Sequence, residues 1–128
     1  MNPLNFKDID LPIKKKDTLC FLIEKTIKWH EDRNLIEGST DKDQVLKLQQ
    51  ELGELSDSVC KKKDMKDDLG DMMVIMLNIM KRNNITMEDC LSVAYSDIKD
   101  RKGKMIDGIF VKETDILSKG FNTSEGKE

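Results

Sequence analysis

The sequence predicts an all-α protein: an antiparallel bundle of four main helices with a short irregular C-terminal extension. Charged residues make up 37% of its 128 residues and aromatic residues only 5%, a composition typical of helical proteins rather than of sandwiches or barrels. Apolar residues recur at i, i+3 and i+4 over long stretches, which is the period of an amphipathic helix. Short polar segments separate these stretches, so successive helices are expected to run antiparallel.

A single helical domain, residues 13–113, is expected between an N-terminal arm, 1–12, and a polar, flexible tail, 114–128. Pro3 and Pro12 discourage a helix in the arm. The first helix is predicted from about Ile13 to Arg33, and its buried stripe consists of Leu19, Leu22, Ile23, Thr26, Ile27 and His30. We therefore expect His30 to be a hydrogen-bonded core residue.

The second and third helices are predicted to form a hairpin around the lysine-rich turn 60–63. Thr40 and Asp43 have the spacing of a capping box that opens the second helix. Its core stripe is predicted to be Val45, Leu48, Leu52, Leu55 and Val59. Asp64 is the expected N-cap of the third helix, which is apolar on nearly every side up to Asn83. Such a helix is enclosed by other helices, including those of a partner subunit, so a homodimer or homotetramer is expected.

The fourth helix is predicted to begin after Thr86 and to end near Arg101. Beyond it, Asp107-Gly108 resembles a tight turn between short extended pieces.

Composition also limits the partners and the compartment. A net charge of -3 argues against a nucleic-acid-binding protein, because no basic excess exists to displace counterions. No apolar run is long enough to span a bilayer, so no membrane partner is expected. The N-terminus lacks the pattern of a signal peptide, and Cys20, Cys60 and Cys90 form no CxxC pair. These features predict reduced, partly buried thiols in a cytoplasmic protein.

Two acidic doublets are the most informative pattern in the chain. Glu51-Leu-Gly-Glu54 lies on the second predicted helix and Asp68-Leu-Gly-Asp71 on the third. Residues three apart share a helix face, and the antiparallel hairpin places the doublets at similar heights. Converging carboxylates repel one another unless a cation lies among them. Oxygen ligands suit Mg²⁺ first and Mn²⁺ second, which points to phosphate chemistry.

The alternative for each acid taken singly is an ordinary solvated position on a helix surface, where most charged residues lie. That interpretation explains less well why Asp71 and Asn78 form a polar row on the most apolar helix of the chain. Taken as a set, the four carboxylates favour a metal site.

These residues resemble the ExxE…ExxD signature of MazG-like nucleotide pyrophosphohydrolases, members of the all-α NTP pyrophosphatase superfamily. The likeness extends to Trp29-His-Glu-Asp-Arg33-Asn-Leu35, to Asn78, and to a C-terminal segment that includes Arg101, Lys104 and Gly108. It covers roughly residues 19–113. Three positions depart from the pattern: Gln50 and Asp68 stand where glutamates are usual, and Asp97 stands where a lysine is expected.

The resemblance implies a Mg²⁺-dependent enzyme that hydrolyses nucleoside triphosphates to the monophosphate and pyrophosphate. It implies that the metal is held by Glu51, Glu54, Asp68 and Asp71. Glu54 is the expected acceptor of the attacking water's proton, because its angle on the helix places it furthest from the core stripe. The expected substrate-binding residues are Trp29, Lys47, Asn78, Arg101 and Lys104. For Arg101 and Lys104, the alternative to binding phosphate is the ordinary complement of a helix dipole by basic residues. For Trp29, packing at a subunit interface is an equal alternative to stacking on a base. The rival hypothesis for the whole chain is a non-catalytic helical module that binds a protein partner or a nucleotide.

Overall fold

Five helices and one β-hairpin are found in residues 15–119, the part of the chain that the computed structural model describes. The chain divides after Met87 into two compact units. The first contains α1 (Lys15–Asp32), α2 (Asp41–Cys60) and α3 (Lys66–Arg82). The second contains α4 (Met87–Ile98), β1 (Gly103–Ile106), β2 (Ile109–Lys112) and α5 (Glu113–Lys119). The predicted arm 1–12 and residues 120–128 of the predicted tail lie outside the described residues.

Local capping chemistry explains where α2 begins, and it corrects the predicted start of α3. The backbone N–H of Asp43 donates to Thr40 Oγ1 at 3.1 Å, and the Thr40 hydroxyl donates to Asp43 Oδ2 at 2.9 Å, as the capping pattern predicts. Asp64 is not the N-cap of α3, because the cap position belongs to Met65. The Asp64 carboxylate instead accepts from the N–H of Lys66 at 2.9 Å, which is the bond of an Asx turn.

The first unit is a three-helix assembly in which α3 packs against both α1 and α2. The short connection 61–65 makes α2 and α3 antiparallel.

The predicted apolar stripe of α2 is only partly buried. Leu48 and Leu55 are half-buried, whereas Val45, Leu52 and Val59 are 43%, 49% and 53% exposed. The most buried residue of α2 is Glu51, which lies beside that stripe.

Helix α3 is not enclosed on all sides by the described residues of one chain, and its enclosure by a partner subunit stays a prediction. Ile75, Leu77 and Asn78 are buried, but Leu69 and Met73 on another face are 46% and 41% exposed. The described residues of this chain therefore leave part of α3 open to solvent.

The second unit replaces the predicted irregular extension with regular structure. Strands β1 and β2 pair antiparallel, with Ile106 opposite Ile109. The turn residues Asp107 and Gly108 have φ values of 50° and 79°, as a two-residue type I′ turn requires. Helix α5 packs on both strands and buries Ile116, although all of its residues after Glu113 fall within the predicted flexible tail. A seven-residue helix is too short to be stable alone, so α5 depends on its contact with the two strands. The sequence pattern does not reveal that contact.

Helix α4 ends at Ile98, about three residues earlier than predicted, and most of its side chains are exposed. The structure is therefore predominantly helical with one small sheet. The predicted packing of α4 into a four-helix bundle stays a prediction.

No helix within residues 15–119 combines the length and the apolarity that crossing a membrane requires. All three cysteines are free thiols; Cys20 and Cys60 are exposed, more so than predicted, and Cys90 is half-buried.

Candidate metal centre

Three of the four predicted carboxylates come together in the first unit. Glu51 and Glu54 lie one turn apart on α2, and Asp71 lies on the facing helix α3. One carboxylate oxygen from each lies within 4.8 Å of the other two. The i, i+3 spacing on α2 and the short antiparallel connection to α3 produce this convergence, as the sequence predicted.

Glu51 is the innermost member of the cluster. It is 8% exposed, and its Oε2 atom is buried without a hydrogen-bond partner among the described residues. Its other oxygen, Oε1, lies 3.6 Å from Lys47 Nζ, a loose ion pair one turn back along α2. A buried carboxylate oxygen with no donor is costly unless a cation or a proton satisfies it.

The electrostatics of the cluster disfavour negative charge in the absence of a cation. Burial raises the pKa of Glu51, and Glu54 raises it further through hydrogen bonding and charge, while Lys47 opposes the rise. Burial also raises the pKa of Asp71, and the charges of Asp67, Glu51 and Asp68 add to it. It is therefore unfavourable for Glu51 and Asp71 to be ionised at the same time, and a bound divalent cation would remove this cost.

The donor set fits Mg²⁺. All three groups offer carboxylate oxygens, the ligands that this hard cation prefers, and the described residues bring no histidine or thiol into the cluster. Glu51, Glu54 and Asp71 are the residues that would hold it. The unpartnered Oε2 of Glu51 is the feature that separates this cluster from ordinary surface acids.

Asp68 lies outside the close group. It is half-buried on α3, and its charge is felt at Asp71, but its oxygens are not among those within 4.8 Å of one another. Its side chain is one methylene shorter than that of a glutamate. A role for Asp68 as a direct ligand stays a prediction.

A cavity of about 470 Å³ opens beside the carboxylates, within the range of volumes that small-molecule sites occupy. Glu51 and Asp71 line one part of it, and Lys47 lines another. Trp29 and His30 from α1 form an aromatic wall. Two predicted substrate-binding residues, Trp29 and Lys47, therefore share one cavity with two predicted metal ligands.

Trp29 contacts two neighbours in the sequence, His30 on α1 and Arg33 in the turn that follows α1. The guanidinium of Arg33 lies over its ring, 4.4 Å from the centroid. The His30 ring meets it edge-on at a centroid distance of 5.2 Å and an interplanar angle of 76°. The indole Nε1 is buried and has no hydrogen-bond acceptor among the described residues.

Asp43 and Gln44 also line the cavity, and the sequence interpretation did not include them. Asp43 was recognised only as part of the capping box. Both residues lie on the first turn of α2, about two turns before Glu51 on the same side of the helix. That spacing is the signal by which they could have been found.

The three remaining predicted substrate-binding residues are Asn78, Arg101 and Lys104. Asn78 is fully buried and is not a lining residue of this cavity. Arg101 and Lys104 belong to the second unit, where Arg101 pairs with Asp97 at 2.8 Å. Asp97 is the position at which the family pattern expects a lysine. Contacts of Arg101 and Lys104 with substrate stay predictions.

Neutralising Glu51 is expected to stabilise the metal-free protein. A group whose pKa is raised in the fold contributes stability below its ordinary pKa, 4.5 for Glu51, and that contribution is lost as pH rises through the folded value. Glu51→Gln should therefore gain stability over the parent as pH rises above about 4.5. Thermal melts in EDTA across the pH range measure this difference.

Saturating Mg²⁺ should reverse the order of the two proteins. Free metal at about 100 times Kd adds about 2.7 kcal/mol to the parent, and Glu51→Gln should gain less. The control is Asp57→Asn, on the exposed part of α2. Lys61 lowers the pKa of Asp57, so this variant should gain no stability over the parent as pH rises, and its response to Mg²⁺ should match that of the parent. If the difference in stability between Glu51→Gln and the parent did not change with pH, that result would contradict mutual repulsion among the carboxylates.

Comparisons with known proteins give one curated relative. The chain is 46% identical over 66 residues to an uncharacterized 18.2 kDa protein in the rep-hol intergenic region of Haemophilus phage HP1 (strain HP1c1). The matched stretch covers 50% of this chain and 40% of the phage protein. No protein-family model matches the chain, and no solved structure matches it.

Proposed function

We propose that this chain is a Mg²⁺-dependent nucleoside triphosphate pyrophosphohydrolase of the MazG-like kind, with Mn²⁺ as a possible substitute metal. The reaction converts a ribo- or deoxyribonucleoside triphosphate and water into the monophosphate and pyrophosphate. The observation that carries the proposal is the buried, unpartnered Oε2 of Glu51 in a cluster of three carboxylates at the edge of a cavity. The family resemblance of the acidic doublets supports the same chemistry.

The cavity supports a nucleotide as the ligand. An aromatic face such as that of Trp29 holds a nucleobase by stacking, and the exposed ammonium of Lys47 is suited to a phosphate. The carboxylates beside Lys47 would otherwise repel a triphosphate. When bound, Mg²⁺ supplies the charge neutralisation that lets phosphate groups approach these acids.

The catalytic step needs a base that is free to take a proton. Water attacks the α-phosphorus, a new P–O bond forms, and the bond from that phosphorus to the α–β bridging oxygen breaks, so that pyrophosphate leaves. Glu54 is the exposed member of the cluster, so its carboxylate has room to accept the proton of the attacking water. Glu51 and Asp71, which are more buried, are suited to fixed positions beside the phosphates.

Pyrophosphate release from a panel of ribo- and deoxyribonucleoside triphosphates, with Mg²⁺ and with EDTA, tests the reaction. We expect pyrophosphate and the matching monophosphate in equal amounts with Mg²⁺ and neither with EDTA. Orthophosphate as the product would mean that attack occurs at another phosphorus. Folded protein that turns over no substrate would instead favour the non-catalytic binding module.

We further propose that the first unit self-associates as a dimer or tetramer. Val45, Leu52 and Val59 are exposed and follow one another at seven-residue intervals on α2, the repeat of a helix that packs along another helix. Leu69 and Met73 add exposed apolar surface on α3. A second copy would present the same self-complementary surface.

Replacing Leu52 with lysine should shift the protein toward monomer, because a charge would be buried in the proposed interface. Sedimentation at micromolar concentration measures the change. Leu46→Lys is the matched control, since Leu46 is 55% exposed on α2 but lies off the seven-residue repeat. A monomeric parent protein would contradict the proposal.

A further inference from the structure

A chain of buried hydrogen bonds joins α1 to α3 behind the cavity. The Asn78 amide Nδ2 donates to the backbone oxygen of Leu35 at 3.0 Å and to His30 Nδ1 at 3.2 Å. The other ring nitrogen, His30 Nε2, lies 2.9 Å from the backbone oxygen of Val74. Asn78 is 0% exposed and His30 is 3% exposed, so water does not replace any of these bonds.

The chemistry of the partners allows only one arrangement of protons. A backbone oxygen can only accept, so Leu35 requires the NH₂ end of the Asn78 amide on its side. With NH₂ as the donor, His30 Nδ1 must be an unprotonated acceptor. The Val74 oxygen then requires the ring proton on Nε2. Leu35 therefore fixes the Asn78 amide, and Asn78 fixes one neutral tautomer of His30.

A protonated ring does not fit this network. A proton on Nδ1 would face the NH₂ donors of Asn78, and turning the amide over would place its oxygen against that of Leu35. Burial lowers the pKa of His30, and only the bond to Val74 opposes this. The charged groups that share its cavity are Asp43, Lys47 and Glu51 from α2 and Asp71 from α3, and Arg33 lies near Trp29 in the turn that follows α1.

The network lies directly behind the aromatic wall of the cavity. His30, Leu35 and Val74 all line the cavity, and each takes part in the network. The His30 ring also supports the edge of Trp29. A change in the position of His30 would therefore move the surface on which a nucleobase is proposed to stack.

We propose that Asn78 and His30 are positioning residues, in which Asn78 holds His30 as its neutral Nε2-protonated tautomer and His30 in turn sets the Trp29 wall of the cavity. Asn78 then acts through His30 and does not contact substrate, in contrast to the role that the family resemblance implied. The effect on substrate rests on the proposed nucleotide site, whereas the tautomer and the position of Trp29 do not.

The parent protein provides a direct test, because His30 is the only histidine and Trp29 the only tryptophan in the sequence. Nitrogen NMR of histidine-labelled protein resolves the two ring nitrogens without assignment experiments. We expect a neutral ring with the proton on Nε2 at neutral pH, and no ring protonation until the pH falls below the ordinary histidine value of about 6.5. An Nδ1-protonated tautomer, or a ring that titrates at or above that value, would overturn the proposal.

Asn78→Asp tests the link between the two residues. The aspartate removes the donors that face His30 Nδ1 and introduces a negative charge, so the pKa of His30 should rise by about one pH unit or more. Emission of Trp29 should fall, because a charged imidazole at its edge quenches indole fluorescence. Asn84→Asp is the control: it makes the same chemical change at an exposed position, where the positive φ of 55° suits both residues. Unchanged His30 titration and Trp29 emission in Asn78→Asp would overturn the proposal.

Kinetics separate this proposal from the proposed function. If the parent hydrolyses nucleoside triphosphates, Asn78→Asp should raise KM about tenfold or more while lowering kcat less, since the base-stacking wall and not the carboxylates has moved. An unchanged KM in an active, folded variant would overturn the positioning role. If the parent hydrolyses no nucleotide, the proposed function fails, and the NMR and fluorescence results still decide whether Asn78 controls His30 and Trp29.

Discussion

Glu54→Gln and Asp71→Asn are each expected to lower Mg²⁺-dependent pyrophosphate release about 10²- to 10³-fold while leaving the protein folded. Each substitution keeps the size of the side chain and removes its charge. Glu54→Gln removes the base proposed to accept the proton of water. Asp71→Asn removes the only member of the close cluster contributed by α3.

The reason for a large effect is that phosphoryl-type displacement depends on charge placement and alignment more than on covalent help from the protein. The cluster contains only three carboxylates among the described residues, so the loss of one removes a third of its charge. Neither change should destabilise the fold. Glu54 is exposed, and burial and like charges already disfavour ionised Asp71.

The matched control is Asp57→Asn, which alters an exposed acid on the same helix that pairs with Lys61 at 2.8 Å. It should retain the parent's activity and its dependence on Mg²⁺. Circular dichroism and thermal melts should show that all three variants are folded. Parent-like activity in Asp71→Asn would contradict a catalytic role for the cluster.

Asn78→Ala is expected to lower the free energy of unfolding by about 2–4 kcal/mol. The substitution leaves a cavity at a fully buried position and strands two acceptors, His30 Nδ1 and the Leu35 oxygen. The orphaned acceptors dominate the cost, because buried polar groups without partners lose their hydration and gain nothing in exchange. Urea denaturation followed by circular dichroism measures the loss.

Gln49→Ala is the control for this loss. Gln49 is an exposed amide within α2, so its truncation should change the free energy of unfolding by no more than about 0.5 kcal/mol. If Asn78→Ala proved as mild as Gln49→Ala, the bonds from Asn78 would contribute little to the packing of α1 on α3. The denaturant slope should be similar in the two variants, since both are expected to unfold to the same exposed surface.

Features set by neighbouring residues were predictable from the sequence. The capping bond between Thr40 and Asp43, the turn at Asp107-Gly108 and the approximate extents of the first four helices all depend on interactions within a few residues. The convergence of Glu51, Glu54 and Asp71 was also predictable, because a fixed helical spacing and a short antiparallel connection leave little freedom.

The predictions that required correction concern the direction in which a helix faces and the partners of short elements. Periodicity shows that α2 has an apolar stripe, but not that its edge at Leu52 stays exposed while Glu51 is buried. Asp68 shares the spacing of the other acids yet lies outside the close group, and its role as a direct ligand stays a prediction. Helix α5 was missed, and the extended pieces around Asp107-Gly108 were not recognised as paired strands, because α5 and the hairpin are stabilised by packing on each other.

The sequence by itself therefore determined the helices, their caps, the acidic pattern and the resemblance that goes with it. Only the tertiary structure decided which carboxylates meet, that Glu51 Oε2 has no hydrogen-bond partner among the described residues, and that Asn78 bonds to His30 behind the cavity. The physical reason is distance along the chain. Caps and turns join residues a few positions apart, whereas His30 and Asn78 are 48 residues apart and meet only because α1 packs on α3.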